Sequence, residues 1–210
     1  MAEPFRGFRS KVVPLHAENV DTDQVVPARY LKITDKVGLA DVLFRDWRFQ
    51  EDGSLKDPPF VLDQPGMAGR NILLVGDNFG IGSSREHASW ALEAWGIRAV
   101  ISTGFADIFR GNALKNGVVP VMVGAATHAR LFALVESDPD AELTFDLAEQ
   151  GIMLPDGSTI DFDIDPFAKL MMLRGTDEMG YLLDKLSVIE AWEGQHPGRV
   201  DTRPQGVRPV

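Results

Sequence analysis

The chain contains no cysteine. Disulfides are therefore excluded, and so is any metal centre held by thiolates of this chain. Long apolar runs are missing as well. None approaches the roughly 20 residues a helix needs to span a bilayer. Residues 1–9 hold no apolar core of signal-peptide length, and the expectation is a soluble, cytoplasmic protein with no membrane contact. Positive charge is scarce: 31 acidic side chains stand against 21 basic ones, a formal net charge of −10. A nucleic-acid binder presents a basic face, so that class is disfavoured. Any anion site here must work through local positive groups against the overall field. No internal repeat is found.

What is present is enough for a core. The 210 residues are 44% hydrophobic, which favours one domain of ordinary size with possible extensions. The chain is organised around residues 74–92. Residues 71–75 form an apolar run that reads as a buried strand. A tight loop with glycines at 76, 80 and 82 follows, and then Ala88, Leu92 and Trp95 recur at helical spacing. Loop and helix meet at Ser83-Ser84-Arg85-Glu86, which fits the capping-box pattern S-x-x-E. The first N–H groups of a helix lack internal partners, and their partial positive charge favours an anion. Two hydroxyls and a guanidinium lie at the same spot. The plainer reading is a cap and a turn with no further role. Two nucleotide-binding motifs are not met. Arg85 stands where a dinucleotide fingerprint needs its third glycine, and no lysine follows Gly82 as a P-loop requires.

Around this centre the pattern alternates strand and helix. Strands are expected over 11–15, 71–76, 98–102 and 118–123. Helices are expected over 38–44, 84–95, 105–116 and 127–135, with Gly117 ending the third of these. Residues 21–23 read as a turn or cap cluster. Residues 50–70 read as a long excursion with little regular structure. Short strands at 142–146, 151–154 and 159–162 follow, with a turn at 155–158 between the last two. Helices over 166–174 and 181–193 come next, then a loose tail from 194 to 210. An α/β unit followed by a hairpin suggests a β/β/α layered domain.

Three motifs carry a more specific likeness. The run Gly76-Asp77-Asn78-Phe79-Gly80-Ile81-Gly82-Ser83-Ser84-Arg85-Glu86-His87-Ala88-Ser89-Trp90-Ala91-Leu92 closely resembles the active-site loop of the small subunits of 3-isopropylmalate dehydratase, a family of the aconitase superfamily. Upstream, Asn19-Val20-Asp21-Thr22-Asp23-Gln24-Val25-Val26-Pro27-Ala28-Arg29-Tyr30-Leu31-Lys32 is similar to a second motif of that family. Phe105-Ala106-Asp107-Ile108-Phe109-Arg110-Gly111-Asn112-Ala113, with Lys115-Asn116-Gly117, is similar to a third. The likeness covers about residues 5–193, in the family's order.

The resemblance implies the α/β, three-layer β/β/α swivelling domain of the aconitase type over 1–193. It also implies a hydro-lyase subunit that isomerises isopropylmalate by loss and re-addition of water in leucine biosynthesis. That chemistry uses a 4Fe–4S cluster held by thiolates. With no cysteine in this chain, the cluster is expected on a partner large subunit, and no metal ligand is expected here. By the same resemblance Ser83 is the base. Arg85 grips a substrate carboxylate in a bidentate fork or only makes a surface ion pair with a nearby acid, worth little in stability, and Ser84 donates to the same anion. Thr22 and Asp23 correspond to a Thr-Asp pair lining the site. Asp23 either orients Arg85, poises Ser83, or simply makes an Asx-turn. Glu86 and His87 read as structural.

Substrate choice is expected in Tyr30, Leu31, Lys32 and Ile33. Aconitases carry an arginine just after the matching run, which binds a third carboxylate. Here Ile33 and Thr34 follow instead. An isopropyl group needs an apolar wall, and burying one is worth roughly 1.5–3 kcal/mol. Citrate and homocitrate are thereby disfavoured, while other methylated malates stay open. A related hydro-lyase of the citraconate or dimethylmalate type, and a non-enzymatic anion-binding module, are the alternatives. Many relatives have cysteine or threonine at the position of Ile81, which is not a cluster ligand in the family pattern.

Overall fold

The computed structural model describes residues 3–32, 38–82 and 85–196. Strand β1 (Phe8–Leu15) is where two kinds of sheet meet. Its first half pairs antiparallel with β5 (Glu142–Asp146), Phe8 opposite Phe145. Its second half pairs in parallel with β2 (Ile72–Val75), Val12 opposite Ile72. Beyond β2 lie β3 (Ala99–Ser102) and β4 (Val119–Met122), all parallel. Beyond β5 lie β6 (Gly151–Met153) and β7 (Thr159–Asp161), both antiparallel. The seven strands run in the order β4-β3-β2-β1-β5-β6-β7. The α/β class expected from the sequence is the one that forms.

The strand sequences explain the split. β2 and β3 are buried at every residue, as strands covered on both faces must be. β5 alternates instead, with Leu143 and Phe145 buried between half-buried neighbours. One core joins Val13, Leu73, Val75 and Val100 to α1 (Thr22–Val25), α2 (Leu39–Val42), α4 (His87–Trp95) and α5 (Asp107–Lys115). The other joins Val12, Ile72, Leu74 and Ile101 to Leu143, Phe145, Ile152 and Ile160 of the antiparallel strands. Leu131 and Val135 of α6 (Ala125–Ser137) and Met172 of α7 (Pro166–Arg174) complete it.

The stretch 50–70 has one 3-10 turn, Val61–Asp63, and is pinned by a buried ion pair. Arg48, in α3 (Arg45–Arg48), donates from Nε and Nη2 to Asp63, at 2.9 and 2.7 Å. Its Nη1 donates to the carbonyls of Ala40 and Leu43, and its guanidinium lies 4.7 Å from the centre of the Trp95 ring.

Three local differences from the sequence reading have physical causes. Helix α4 starts at His87, not at 84. Glu86 stands at its N-cap, and its carboxylate accepts a bond from Asn116 Nδ2 at 2.9 Å. It is therefore not the third residue inside a helix capped by Ser83, and the expected capping box fails. The free N–H groups of α4 begin beyond the serines. Second, the helix expected over 181–193 is two helices, α8 (Glu178–Asp184) and α9 (Leu186–Gln195), parted at Lys185. Asp177 starts α8 early by accepting from Gly180 N at 2.7 Å. Third, β1 begins at Phe8 because β5 pairs with residues ahead of the expected 11–15. Gly117 takes the left-handed turn expected of it, with φ +77° just after α5.

Candidate active site

Strands β1 to β3 run the same way, so the segments after them emerge at one end of the sheet. In α/β sheets ligands bind at such carboxyl ends. The three motifs are these three segments, and backbone hydrogen bonds join them. Gly80 N and Ile81 N donate to Val20 O at 2.8 and 3.1 Å, and Thr22 N donates to Ile81 O at 2.9 Å. On the other side, Phe79 N donates to Gly104 O at 2.9 Å, and Ala106 N donates back to Phe79 O at 3.1 Å. Asn19 and Asn78, both at positive φ, meet through a 2.8 Å bond between their side chains. Phe79 is fully buried and meets the rings of Phe105 and Phe109 edge-on.

Two glycines are required by contact. Gly80 has φ +79°, and a methyl there would overlap the Phe109 ring. Gly82 has φ +92°, and a methyl there would overlap the Asp21 carboxylate.

Asp21, read from the sequence as part of a turn or cap cluster but not as a site residue, is the cap. Its Oδ1 accepts from Asp23 N at 2.7 Å, and its own N–H donates to Gln24 Oε1 at 2.8 Å. That is a capping box starting α1. The signal was present as D-x-x-Q at 21–24. Of the three roles weighed for Asp23, the turn falls to Asp21, and the Asp23 carboxylate is ion-paired with Arg85; the third, poising Ser83, involves a residue outside the described ones. Arg85 is mostly buried and Asp23 half-exposed. Thr22 is almost fully buried. Asp21, Thr22, Asp23, Gly82 and Arg85 thus come together. Ser83, Ser84 and Ile33 lie outside the described residues.

The specificity segment follows α1 directly. Ala28–Tyr30 is a 3-10 turn. Tyr30 packs against the core, Leu31 is half-buried and Lys32 is exposed. Arg29 lies 4.8 Å from the centre of the Tyr30 ring and pairs with Asp46. The Asp46 hydrogen bond raises the Arg29 pKa, and the same bond lowers that of Asp46. The arginine nearest this segment is therefore already held by a carboxylate.

Larger concavities lie elsewhere. A groove of about 560 Å³ runs between α5, α7 and α8; it meets the third motif at Gly111, Lys115 and Gly117 but touches none of Asp21, Thr22, Asp23, Gly82 and Arg85. Among the described residues no three His, Cys, Asp or Glu side chains are grouped to hold a metal ion. Without thiolates, the donor set of Asp21 and Asp23 does not fit an iron–sulfur cluster. No helix of the described residues is long and apolar enough to cross a membrane.

Sheet order and the joined carboxyl-end loops define an α/β domain with its candidate site at the carboxyl end of the parallel strands. Residues 2–126 match the family described as the Aconitase C-terminal domain, and residues 129–166 match LeuD_N. The chain belongs to the family of 3-isopropylmalate dehydratase small subunits. It is 50% identical over 200 residues to the 3-isopropylmalate dehydratase small subunit of Roseiflexus sp. (strain RS-1), covering 95% of this chain and 98% of that one. It is 55% identical over 192 residues to the small subunit of Anaeromyxobacter dehalogenans (strain 2CP-C), covering 91% and 98%. Among solved structures, 3-isopropylmalate dehydratase of Methanocaldococcus jannaschii matches with a TM-score of 0.61 at 26% identity. That match covers 90% of this chain and 99% of the other.

Proposed function

We propose that this chain is the small subunit of a heteromeric hydro-lyase that interconverts 2-isopropylmalate and 3-isopropylmalate in leucine biosynthesis, in the cytoplasm. The observation that carries the reading is the joining of three motif segments around Arg85 and Asp23, in a chain with no ligands for a cluster. The large subunit is the cluster's bearer. Bound there, the cluster supplies Lewis acidity to the departing hydroxyl.

This chain's residues handle the proton and the carboxylate. A proton leaves the carbon next to a carboxylate and passes to Ser83 Oγ, hydroxide leaves the adjacent carbon, and a double bond forms between them. Hydroxide then adds to the carbon that lost the proton, and Ser83 returns its proton to the carbon that lost the hydroxyl. A neutral serine is a weak base, so its alkoxide needs a nearby cation. With α4 starting at His87, that duty falls to Arg85 rather than to the helix tip. Arg85 also holds the substrate carboxylate in a fork, with Ser84 as a second donor. Asp23 keeps the guanidinium aimed until the substrate shares it. Thr22 lines the site, and within the specificity segment of Tyr30, Leu31, Lys32 and Ile33 the apolar wall for the isopropyl group falls to Tyr30, Leu31 or Ile33. Arg29 adds no third-carboxylate clamp, because Asp46 holds it.

The test is reconstitution with the large subunit and assay on a panel of malate derivatives, citrate and homocitrate. Turnover of both isopropylmalates by the pair, and by neither chain alone, is expected. Preferred turnover of citraconate or dimethylmalate would reassign the substrate. Failure to turn over any hydroxy acid would leave only anion binding.

A further inference from the structure

Helices α8 and α9 carry an apolar stripe with no core beneath it. No side chain in either is buried. Met179, Leu182, Leu183 and Leu186 recur at i, i+3, i+4 and i+7, and Val188 and Trp192 continue the apolar run. Their exposure runs from 47% for Leu186 to 64% for Val188. Isolated helices shorter than about 12–15 residues are marginal in water, and α8 and α9 have seven and ten residues. A stripe of this size marks an interaction surface.

The stripe is continuous with the 560 Å³ groove. Met179 belongs to both, and Met171, Met172, Leu114 and Phe5 line the floor. Phe167 lies beside it, edge-on to Tyr181 at 5.2 Å. Three methionines in one groove give a wall that adapts to a partner's side chains. The surface lies away from the candidate active site. Helix α5 leads from the carboxyl end of β3 to the amino end of β4, and the groove is built on the last part of α5.

We propose that the α8–α9 stripe and the adjoining methionine groove dock the large subunit, through an apolar face with a basic rim. The inference rests on the heteromeric reading given above. Charge selects the occupant. Glu178 is paired with Lys115 at 3.1 Å, and the two helices otherwise carry Asp184, Glu190 and Glu193 against Lys185. A second copy would bring the same acidic rim onto this one, and like charges across an interface oppose pairing. A basic-rimmed partner is attracted. The placement also serves turnover. A site shared by two chains must open for substrate to enter and product to leave. A contact at the far end of the sheet holds the chains together while the site opens, so reclosing is intramolecular.

The test measures binding of the full chain to purified cluster-bearing large subunit by calorimetry, and the mass of each species by ultracentrifugation. The variants are Leu183→Glu with Leu186→Glu, and separately Glu190→Lys with Glu193→Lys. None of the four side chains is buried, and matched melting curves check that both variants fold. The leucine pair is expected to weaken binding by roughly a hundredfold or more, with kcat restored at saturating large subunit. The glutamate pair is expected to weaken binding less and to flatten its salt dependence. Unchanged affinity in the leucine pair would overturn the proposal. So would a wild-type dimer of this chain alone that the leucine pair dissolves while heteromer affinity stays the same. If the wild-type chain neither bound the large subunit nor gave isomerase activity, the functional reading itself would fall, and that result differs from failure of the variants alone.

Discussion

Arg85 and Asp23 form an ion pair that joins the loop after β2 to the helix after β1. Half of Asp23 faces solvent, so the pair adds little to stability. Its weight is positional: it holds a cation at the joined loops, which is where the proposed function needs one for a substrate carboxylate. Arg85→Lys keeps the charge and loses the fork. KM for isopropylmalate is expected to rise by about tenfold or more, the loss of a charged hydrogen bond, with a smaller fall in kcat. Steady-state kinetics of the reconstituted enzyme check this, and an unchanged KM would remove Arg85 from the binding role.

Ser83→Ala removes the proposed base. The turnover number is expected to fall by at least about a hundredfold, with an unchanged melting temperature and unchanged affinity for the large subunit. Wild-type rates in this variant would exclude Ser83 as the proton acceptor.

Gly80→Ala tests the seam between the loop and α5. The new methyl meets the Phe109 ring, at a backbone angle that disfavours any side chain. Overpacking costs about 1–3 kcal/mol, and the left-handed conformation about 1–2 kcal/mol more. Urea unfolding measures the sum. Gly82→Ala presses on the more accessible Asp21 carboxylate and is expected to lower turnover more than stability.

These glycines also mark where sequence reasoning reached and where it stopped. β5 (Glu142–Asp146) and α7 (Pro166–Arg174) formed with the expected bounds, because alternation and an Asp-Pro start are local signals. The first half of β1 was missed, because its pairing with β5 is a long-range event that no window of residues reports. The start of α4 was set too early, because Glu86 bonds to Asn116, thirty residues away. The break at Lys185 was hidden by an apolar spacing that continues across it. At the site, Arg85 and Asp23 were legible from the motifs. The carboxylate of Asp21 leaning on Gly82 was not, since only the joined backbones bring the two together.

Asp63→Ala leaves the Arg48 guanidinium buried without its counter-charge. Both side chains are 8% exposed, so water does not replace the missing partner. Breaking a buried pair in this way costs about 3–5 kcal/mol. Thermal and urea unfolding are expected to show that loss. A change within experimental error would mean that the 50–70 excursion is held by other contacts.

Acid is expected to loosen the segment after α1. Hydrogen bonding from Arg29 holds the Asp46 carboxyl below its ordinary value. A carboxylate lowered in the folded state contributes stability above its unfolded pKa of about 3.9 and loses it as pH falls through the folded value. The effect is therefore confined to pH below about 4, and it is small because the pair is half-exposed. Titration of the Asp46 carbon resonance, with and without Arg29→Gln, checks the sign: the variant's carboxyl titrates higher.

Strand β1 has a bearing on how the chain is made. Its front half finds its neighbour only in β5, with Phe8 opposite Phe145. During synthesis this half-strand leaves the ribosome more than a hundred residues before β5 and must wait, edge open, until β5 has emerged. Contacts this distant along a chain slow folding, and unpaired edges invite association between nascent chains. The parallel strands β1 to β4 pair among themselves, but one of their faces is covered only by α6, the antiparallel strands and α7, so the sheet stays half-covered until those later elements have emerged.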